Sequence, residues 1–416
     1  MESPLKILHV DKTASRKVCS GKSLAMDLPD EIVAYILSMI PIKMIRYCYC
    51  VCKRWHSIIT EPYFANLHLS RSPDCLIIYR PNFYDEYAIH SLAELDDTPY
   101  PDIQDGPLMF FDHDENKVRD DDFLRHSEWP LCGSINGLLC LWHTIGATCI
   151  CNPITREYIL LADNKNLRKL SRFPIYGFGF VKASHEYKVV CLYQGDFPSS
   201  AGSGKSWCEV YTLGTGMWRS LGQVPFLVST RDRRNRVSSY ESDYTSWYGS
   251  HDGVFIRSNL HWLIYDLNTN QERVCTFDLK KEEFQLTAPP RVTKKVDYRR
   301  LGMLGECLCV CDNTGESGFT IWVLKGYGNK QSWSKELFID QSSNQQYGPV
   351  HPLKLFKDGT VLFSLRSYQL IYHSADKTFE TFSMCWNDHF NKPLAMVFVP
   401  GFIRLKSFVS EKVKFF

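Results

Sequence analysis

A short hairpin-like turn recurs along most of the chain, and each copy leads into an aromatic or apolar strand start. The turns lie at residues 152–156, 213–218, 278–284, 327–333 and 374–379. Their tips are about 45 to 65 residues apart, which is the length of a four-stranded propeller blade. This period predicts a chain that folds mainly as a β-propeller, with one turn of this kind in each blade.

Segments of alternating apolar and polar residues lie between these turns and predict the strands of the blades. The best defined are residues 76–80, 137–142, 187–193, 208–213, 308–312 and 361–365. A further blade is expected from early strands near Leu76 and Ala88, closed by the last strand near residues 396–403. Together with the five turns, this predicts six blades and a ring that the two ends of the chain close.

The N-terminal part of the chain follows a helical period instead. Ile32, Ile36, Leu37 and Ile40 recur at helical spacing, which predicts a helix with a single apolar face. A second helix over residues 43–51 and a third that ends before Pro62 complete a three-helix unit. The predicted fold class is therefore α+β multidomain, with a flexible segment over 1–26, helices over 27–72 and an all-β propeller over 73–416.

Leu28-Pro29 opens the helical unit, Ile40-Pro41 lies between helices, and Val51-Cys52-Lys53, Trp55 and His68-Leu69 follow in this order. With these residues in this order, the unit resembles an F-box. Taken singly, each apolar residue of the first helix would more often belong to a core than to an interface. The resemblance implies instead a surface that binds a Skp-family adaptor. Its implied contacts are Leu28, Pro29, Ile32, Ile36, Ile40, Pro41, Ile42 and Val51, with Trp55 as an internal anchor.

The propeller region contains a series of characteristic sequence segments, at residues 133–140, 152–153, 176–180, 187–190, 260–263 and 321–324. In these segments and their order it is similar to the F-box-associated domain of plant F-box proteins, a kelch-like receptor module. Together the two resemblances imply the substrate receptor of a Skp-cullin-F-box ubiquitin ligase, with cullin and RING subunits recruited through the adaptor. The alternatives are an F-box protein that acts outside a ligase and, more distantly, a propeller lectin or enzyme.

Composition limits the other classes of function. A net charge of +2 gives no global field that would favour nucleic acid or an anionic membrane, and no apolar run approaches the roughly 18 residues of a membrane span. The 16 cysteines lack paired zinc-ligand spacing, and Cys307, Cys309 and Cys311 alternate like core residues of a strand. We therefore expect a soluble cytoplasmic or nuclear protein with reduced thiols, no metal and no cofactor.

Three segments look like chemical motifs but lack necessary parts. Residues 202–206 resemble the end of a phosphate-binding loop, yet Ser199 stands where its first glycine is required. Residues 374–376 resemble an Asp box without its completing glycine and tryptophan, and His261 is expected to be a hydrogen-bonded histidine within a sheet. The sequence therefore predicts no catalytic residue.

Target recognition is expected on a long loop, because loops on a rigid framework can vary without disturbing the packed strands. Residues 226–250 combine several arginines and aromatic residues, the types that dominate protein interfaces. The candidate target-binding residues are Arg233, Arg234, Tyr244 and Trp247. The alternative is that the aromatic residues pack beneath the loop and the arginines are merely solvated.

Overall fold

Four helices form the N-terminal unit of the computed structural model. They are α1 (Asp30–Leu37), α2 (Ile42–Cys48), α3 (Lys53–Thr60) and α4 (Pro62–Leu69). The three predicted helices are present as α1 to α3, the third of them ending before Pro62, and α4 is an additional helix that begins at this proline. A proline suits the first turn of a helix, where its missing N–H has no intrahelical partner.

Not every residue of the chain is described by the structure. The described residues are 28–80, 89–95, 102–103, 129, 131–143, 146–164, 174–195, 205–226, 228–229, 253–266, 268–291, 298–313, 318–327, 332–339, 350–364, 369–373, 379–383 and 394–415. The predicted flexible segment 1–26 therefore lies outside them. No helix in these ranges is long and apolar enough to cross a membrane.

The rest of the described chain forms six antiparallel sheets, which we number as blades 1 to 6. Blade 1 contains β1 (Cys75–Arg80), β2 (Ile89–Glu94) and β3 (Asp102–Ile103), and blade 2 contains β4 (Leu131–Ile135), β5 (Leu138–Trp142), β6 (Thr148–Asn152) and β7 (Glu157–Leu160). Blade 3 contains β8 (Ile175–Val181), β9 (Glu186–Gly195), β10 (Lys205–Thr212) and β11 (Trp218–Gln223). Blade 4 contains β12 (Val228–Ser229), β13 (Val254–Ile256), β14 (Asn259–Asp266), β15 (Gln271–Asp278) and β16 (Glu283–Thr287).

Blades 5 and 6 follow the same plan. Blade 5 contains β17 (Tyr298–Leu304), β18 (Cys307–Asn313), β19 (Phe319–Leu324) and β20 (Trp333–Ile339), and blade 6 contains β21 (His351–Leu355), β22 (Val361–Ser364), β23 (Gln369–His373) and β24 (Phe379–Ser383). Two strands remain near the end of the chain, β25 (Leu394–Phe398) and β26 (Val413–Phe415), with a 3-10 turn, Leu405–Ser407, between them.

The six sheets are arranged in a closed ring. Going around the ring, β25 contacts β4, β4 contacts β8, β8 contacts β13 and β14, these contact β17, β17 contacts β21, and β21 contacts β25. Each sheet is antiparallel and packs on the next through apolar clusters that lie between neighbouring blades. The predicted propeller of six blades is confirmed by this arrangement.

The C-terminal part of the chain completes two blades. In blade 1, β25 pairs with β1, with Met396 opposite Ile77, which confirms the ring closure expected from the sequence. In blade 2, β26 adds an outer fifth strand to β7, with Val413 opposite Ile159. This fifth strand was not predicted, because three residues are too few to show an alternating pattern.

The recurring turns occupy one position in the blades. Residues 153–156 join β6 to β7, residues 213–217 join β10 to β11, and residues 279–282 join β15 to β16, so each connects the third and fourth strand of a four-stranded repeat. The alternating cysteines Cys309 and Cys311 are buried, as predicted. His261 is also buried, with ring nitrogens that contact the Val254 carbonyl oxygen and the Tyr327 hydroxyl at 3.1 and 3.0 Å.

Candidate functional site

Helix α1 is apolar on two faces, not on the single face that the sequence predicted. Val33, Ala34 and Leu37 are buried in the core of the helical unit. The opposite side exposes a second apolar row to solvent, Ile32, Tyr35, Ile36 and Met39, whose spacing of three and four residues places them on one stripe. Ile36, for example, is 44% exposed. An amphipathic helix of a self-contained unit would carry polar residues on this side. The exposed apolar row is therefore typical of a surface that a partner covers.

A second exposed apolar row runs along α2 and the turn that follows it. Met44, Tyr47 and Val51 are exposed, and Tyr47 is 70% exposed. The inner side of the same helix packs Ile42, Ile45 and Cys48 into the core that also holds α1. Both helices therefore present apolar side chains outward from one shared core. We call these seven outward residues the F-helix surface: Ile32, Tyr35, Ile36, Met39, Met44, Tyr47 and Val51.

The predicted adaptor contacts are divided by the structure into three environments. The first environment is the exposed surface, which includes Ile32, Ile36, Val51, Pro29 and Pro41.

Leu28, Ile40 and Trp55 are partly buried against the helical core. Ile42 packs inside that core, so its side chain offers almost no surface to a partner, because it points between the helices. Sequence reasoning missed Tyr35, Met39, Met44 and Tyr47. For α1 the available signal was the spacing of three and seven residues from Ile32.

Polar contacts hold the start of α1. The Arg54 Nε donates to Asp30 Oδ1 at 2.7 Å, and its guanidinium also bonds the Leu28 carbonyl oxygen, so α3 clamps the entry to α1. Arg71 lies over the Tyr35 ring at 4.5 Å and donates to Ser38 Oγ at 3.2 Å. A cation over an aromatic face fixes the ring, which orients one member of the F-helix surface.

The helical unit is joined to the propeller through Phe402. This residue follows β25, yet its side chain is buried in the helical core, with ring centroids 5.3 Å from Phe64 and 4.8 Å from His68. Ile154, in the turn between β6 and β7, packs against the same core. One apolar cluster therefore contains residues of both units, which places the F-helix surface at a defined position relative to the blades.

Backbone contacts tighten this junction. The Ser72 hydroxyl donates to the Pro400 carbonyl oxygen at 2.8 Å. Gly137 has a φ of +82°, and a Cβ there would lie 2.6 Å from the Gly401 backbone nitrogen, so only glycine permits this approach. Asn152 Nδ2 donates to the carbonyl oxygens of Gly401 and Ile403 at 2.9 and 2.8 Å. The segment that carries Phe402 is thus held by the first turns of blade 2.

The junction lowers the pKa of His68. Burial lowers the pKa of its imidazole from 6.5 to about 4, because a charged ring would lose its hydration between Phe64 and Phe402. The Ser72 hydroxyl lies 3.2 Å from its Nδ1. The histidine is therefore neutral at physiological pH and acts as an apolar packing residue with one hydrogen bond.

Comparison with known families identifies both units. A family model for the F-box associated beta propeller domain matches residues 110–372, and an F-box-like model matches residues 25–69. The first match alone spans more than half of the chain. The chain belongs to the plant F-box proteins. Its four helices are the F-box, and the six blades are the F-box-associated propeller.

The relatives of this F-box protein are plant proteins of the same kind. F-box protein CPR1 of Arabidopsis thaliana is 25% identical over 373 residues, covering 83% of this chain and 81% of the relative. An F-box/kelch-repeat protein of the same plant is 25% identical over 370 residues, covering 85% and 89%. Among solved structures, the six-bladed fungal lectin of Aleuria aurantia covers 75% of this chain and 91% of its own, at 10% identity and a TM-score of 0.41. A likeness at that level says nothing about sugar binding in this chain.

The predicted target-binding residues of the F-box protein, Arg233, Arg234, Tyr244 and Trp247, lie outside the described residues. In the described ranges, no group of three His, Cys, Asp or Glu side chains is arranged to hold a metal ion. The chemical features that the structure does describe at this site are therefore apolar packing and the F-helix surface.

Proposed function

We propose that this F-box protein is the substrate receptor of a Skp-cullin-F-box ubiquitin ligase. Its F-box would bind a Skp-family adaptor, and through it cullin and RING subunits, while its propeller would hold the target protein. The observation that carries the proposal is the apolar character of α1 on both faces, with one face buried in the F-box core and the other exposed.

The F-helix surface fits an adaptor because of its chemistry. Exposed apolar residues on two neighbouring helices form a patch that water solvates poorly, and such patches mark sites of protein association. Apolar residues at positions i, i+3, i+4 and i+7 of α1 are the anchors used when helices pack against a partner groove. The F-box family match supports a Skp-type adaptor as that partner.

The function needs no catalytic side chain from this chain. A receptor that holds a target beside a recruited conjugating enzyme raises the effective concentration of the target lysine and restricts its orientation. The junction through Phe402 suits this role, since it packs the adaptor-binding helices against the propeller, and only residues 70–74 separate α4 from β1. For this reason we propose that the protein is a non-catalytic substrate receptor.

Three further features remain proposals: the place of target recognition, the kelch-like class of the blades and the compartment. We place target recognition on the loop at residues 226–250, with Arg233, Arg234, Tyr244 and Trp247 as contacts, and we describe the blades as kelch-like. The compartment is the cytoplasm or the nucleus, which fits the fourteen free thiols in the described part of the chain, most of them buried as small apolar residues.

Affinity purification from plant cells tests the proposal. The tagged full chain should recover a Skp-type adaptor together with a cullin, and a variant with Pro29→Ala and Ile36→Asp should recover neither while keeping its melting temperature. Proteins that accumulate with the wild type under proteasome inhibition are candidate targets, and they should still associate with the double variant. Recovery of the adaptor without a cullin would favour an F-box protein that acts outside a ligase.

Mutation of the loop tests target recognition separately. Replacing Arg233, Arg234, Tyr244 and Trp247 by Ala should weaken target capture at unchanged adaptor binding and melting temperature. Capture that stays undiminished would exclude this loop, and loss of folding would indicate that its aromatic residues are packed.

A further inference from the structure

The last part of the described chain forms a strap across blade 2. We define the C-terminal strap as residues 404–415. It leaves the F-box junction after Phe402, makes the 3-10 turn Leu405–Ser407 and ends in β26, which pairs with β7. Leu405 is fully buried among residues of blades 2 and 3, so the strap is anchored in the propeller core.

The carboxylates of the strap and of the strand beneath it are turned inward. Glu411 accepts hydrogen bonds from the Tyr211 hydroxyl at 2.9 Å and from the Gly214 backbone N–H at 2.8 Å. Glu157, with a fully buried side chain, accepts from the Leu405 backbone N–H at 2.6 Å and pairs with Arg404 at 2.8 Å. Both negative charges are therefore engaged by internal partners.

The cations of the same region point outward. Lys406, Lys412 and Lys414 are exposed on the strap, and Arg156 is exposed at the start of β7. Lys406 lies 4.7 Å from the centroid of the Phe415 ring. In the ranges that the structure describes, no ion pair involves Lys412, Lys414 or Arg156. The outer side of the strap thus carries positive charge that the fold does not neutralise.

Apolar side chains are exposed between and beside these cations. Val409 is 95% exposed and Phe415 is 52% exposed. Met217 is also exposed, and its turn lies against the strap, since a Cβ on Gly216 would be 3.5 Å from the Ser410 carbonyl oxygen. Within the strap only β26 (Val413–Phe415) is extended, and residues 409–410 form a turn before it. The strap is therefore a narrow row of exposed lysines and apolar residues.

The outer edge of β26 is also open. It is the outermost strand of blade 2, and within the described residues its only partner is β7. The pairing of β26 with β7 is regular over its three residues, and the edge strands β16 and β24 are also paired regularly. The edge strands β11 and β20 are instead each paired across a register shift, which twists an edge and discourages further pairing. A regular edge strand retains a row of backbone donors and acceptors that another strand can bond.

We propose that the β26 edge binds an extended acidic segment of a partner protein, which adds a sixth strand to blade 2. Backbone hydrogen bonds to β26 supply the attachment, as in other cases of strand addition. Lys412, Lys414 and Arg156 select for carboxylates, and Phe415 and Val409 cover the apolar side chains between them.

The competing role for these lysines is protection of the edge. A lysine on an edge strand discourages pairing between identical molecules, and Lys414 serves that purpose in either case. Protection alone does not require several outward cations together with two inward carboxylates. This arrangement of charges fits a partner of opposite sign. The lysines that prevent pairing between identical molecules then favour pairing with an acidic strand.

Fluorescence polarisation with a synthetic peptide tests the proposal on the full chain. The probe is a labelled heptapeptide of alternating glutamate and valine, Glu-Val-Glu-Val-Glu-Val-Glu. We expect saturable binding that a variant with Lys412→Glu and Lys414→Glu weakens at least about tenfold, since two attractive contacts become repulsive. A peptide in which the central valine is replaced by proline keeps every charge but loses a backbone donor, and it should bind at least about fivefold more weakly.

A second pair of exposed lysines provides the matched control. Lys280→Glu with Lys281→Glu reverses the same amount of charge in the turn before β16, and it should leave the affinity for the probe unchanged. The affinity of each variant is compared with that of the wild type only if the two proteins have the same melting temperature. No saturable binding by the wild type would overturn the proposal. Equal loss in the control variant, or undiminished binding of the proline peptide, would also overturn it, since either result indicates charge attraction without strand addition.

Discussion

Ile36→Asp is the substitution that separates an adaptor-binding role of α1 from a structural one. The side chain lies on the exposed face of the helix, and Val33, Ala34 and Leu37 hold the opposite face in the F-box core. The substitution therefore removes no core contact. We expect the fold to survive, with a melting temperature within about 2 °C of the wild type, as is usual for surface changes.

The expected loss of adaptor affinity follows from two contributions. Full burial of an isoleucine side chain is worth about 1.5–3 kcal/mol, and Ile36 is 44% exposed, so covering its exposed part contributes about 1 kcal/mol. An aspartate in the same contact must also lose hydration without a paired cation, which adds at least about 2 kcal/mol. A total of about 3 kcal/mol corresponds to a loss of affinity of about 100-fold or more.

Calorimetry with a purified Skp-type adaptor measures this loss. The matched control is Tyr63→Asp, which places the same charge on an apolar side chain of α4 that is 53% exposed but lies outside the F-helix surface. It should change the affinity less than about threefold, because a charge that stays in solvent loses little hydration. The reasoning is refuted if Ile36→Asp binds the adaptor like the wild type, or if Tyr63→Asp is equally damaging.

Three further predictions concern the junction, the ring closure and pH. Phe402→Ala should lower stability by about 3–5 kcal/mol and selectively speed hydrogen exchange in the F-box helices; unchanged exchange there would disprove the coupling. Deletion of residues 394–416 removes β25 and β26, so light scattering should reveal aggregates, and a monomer with the wild-type melting temperature would be inconsistent with the closure. Burial lowers the pKa of His261 from 6.5 to about 4, so the unfolded chain binds the proton first and His261 lowers stability by up to about 3 kcal/mol from pH 6.5 to 4; since His68 titrates in the same range, His261→Gln should reduce the slope of that part of a pH-melting profile without removing it, and an unchanged slope would contradict this.

Local patterns account for most of the fold that could be predicted. The strand segments predicted at residues 187–193 and 308–312 correspond to β9 and β18, whose residues in these ranges are buried on both faces of the sheet. The spacing of the turns identified the blades, because each blade repeats a similar length of chain. Periodicity was less informative for α1, because apolar residues on two faces give one continuous apolar helix, and the pattern does not say which side faces the core.

The parts that escaped prediction depend on contacts between distant residues. Phe402 packs against Phe64, more than 300 positions away, and its local sequence does not differ from that of an ordinary apolar strand end. Ile42 looks like the exposed isoleucines beside it until the helices are packed. The inward orientation of the Glu157 and Glu411 carboxylates could not be predicted either, since a glutamate is ordinarily solvated unless the fold brings a hydrogen-bond donor to it.

Reconstitution of the ligase core is the most direct test of the proposed receptor role. The purified full chain is mixed with a Skp-type adaptor and the adaptor-binding part of a cullin, and the mass of the eluting species is measured by light scattering. Our account predicts one complex that contains one copy of each protein, and predicts that Ile36→Asp elutes apart from the other two. A folded wild-type chain that elutes alone at micromolar concentration, beside an intact adaptor–cullin pair, would contradict it.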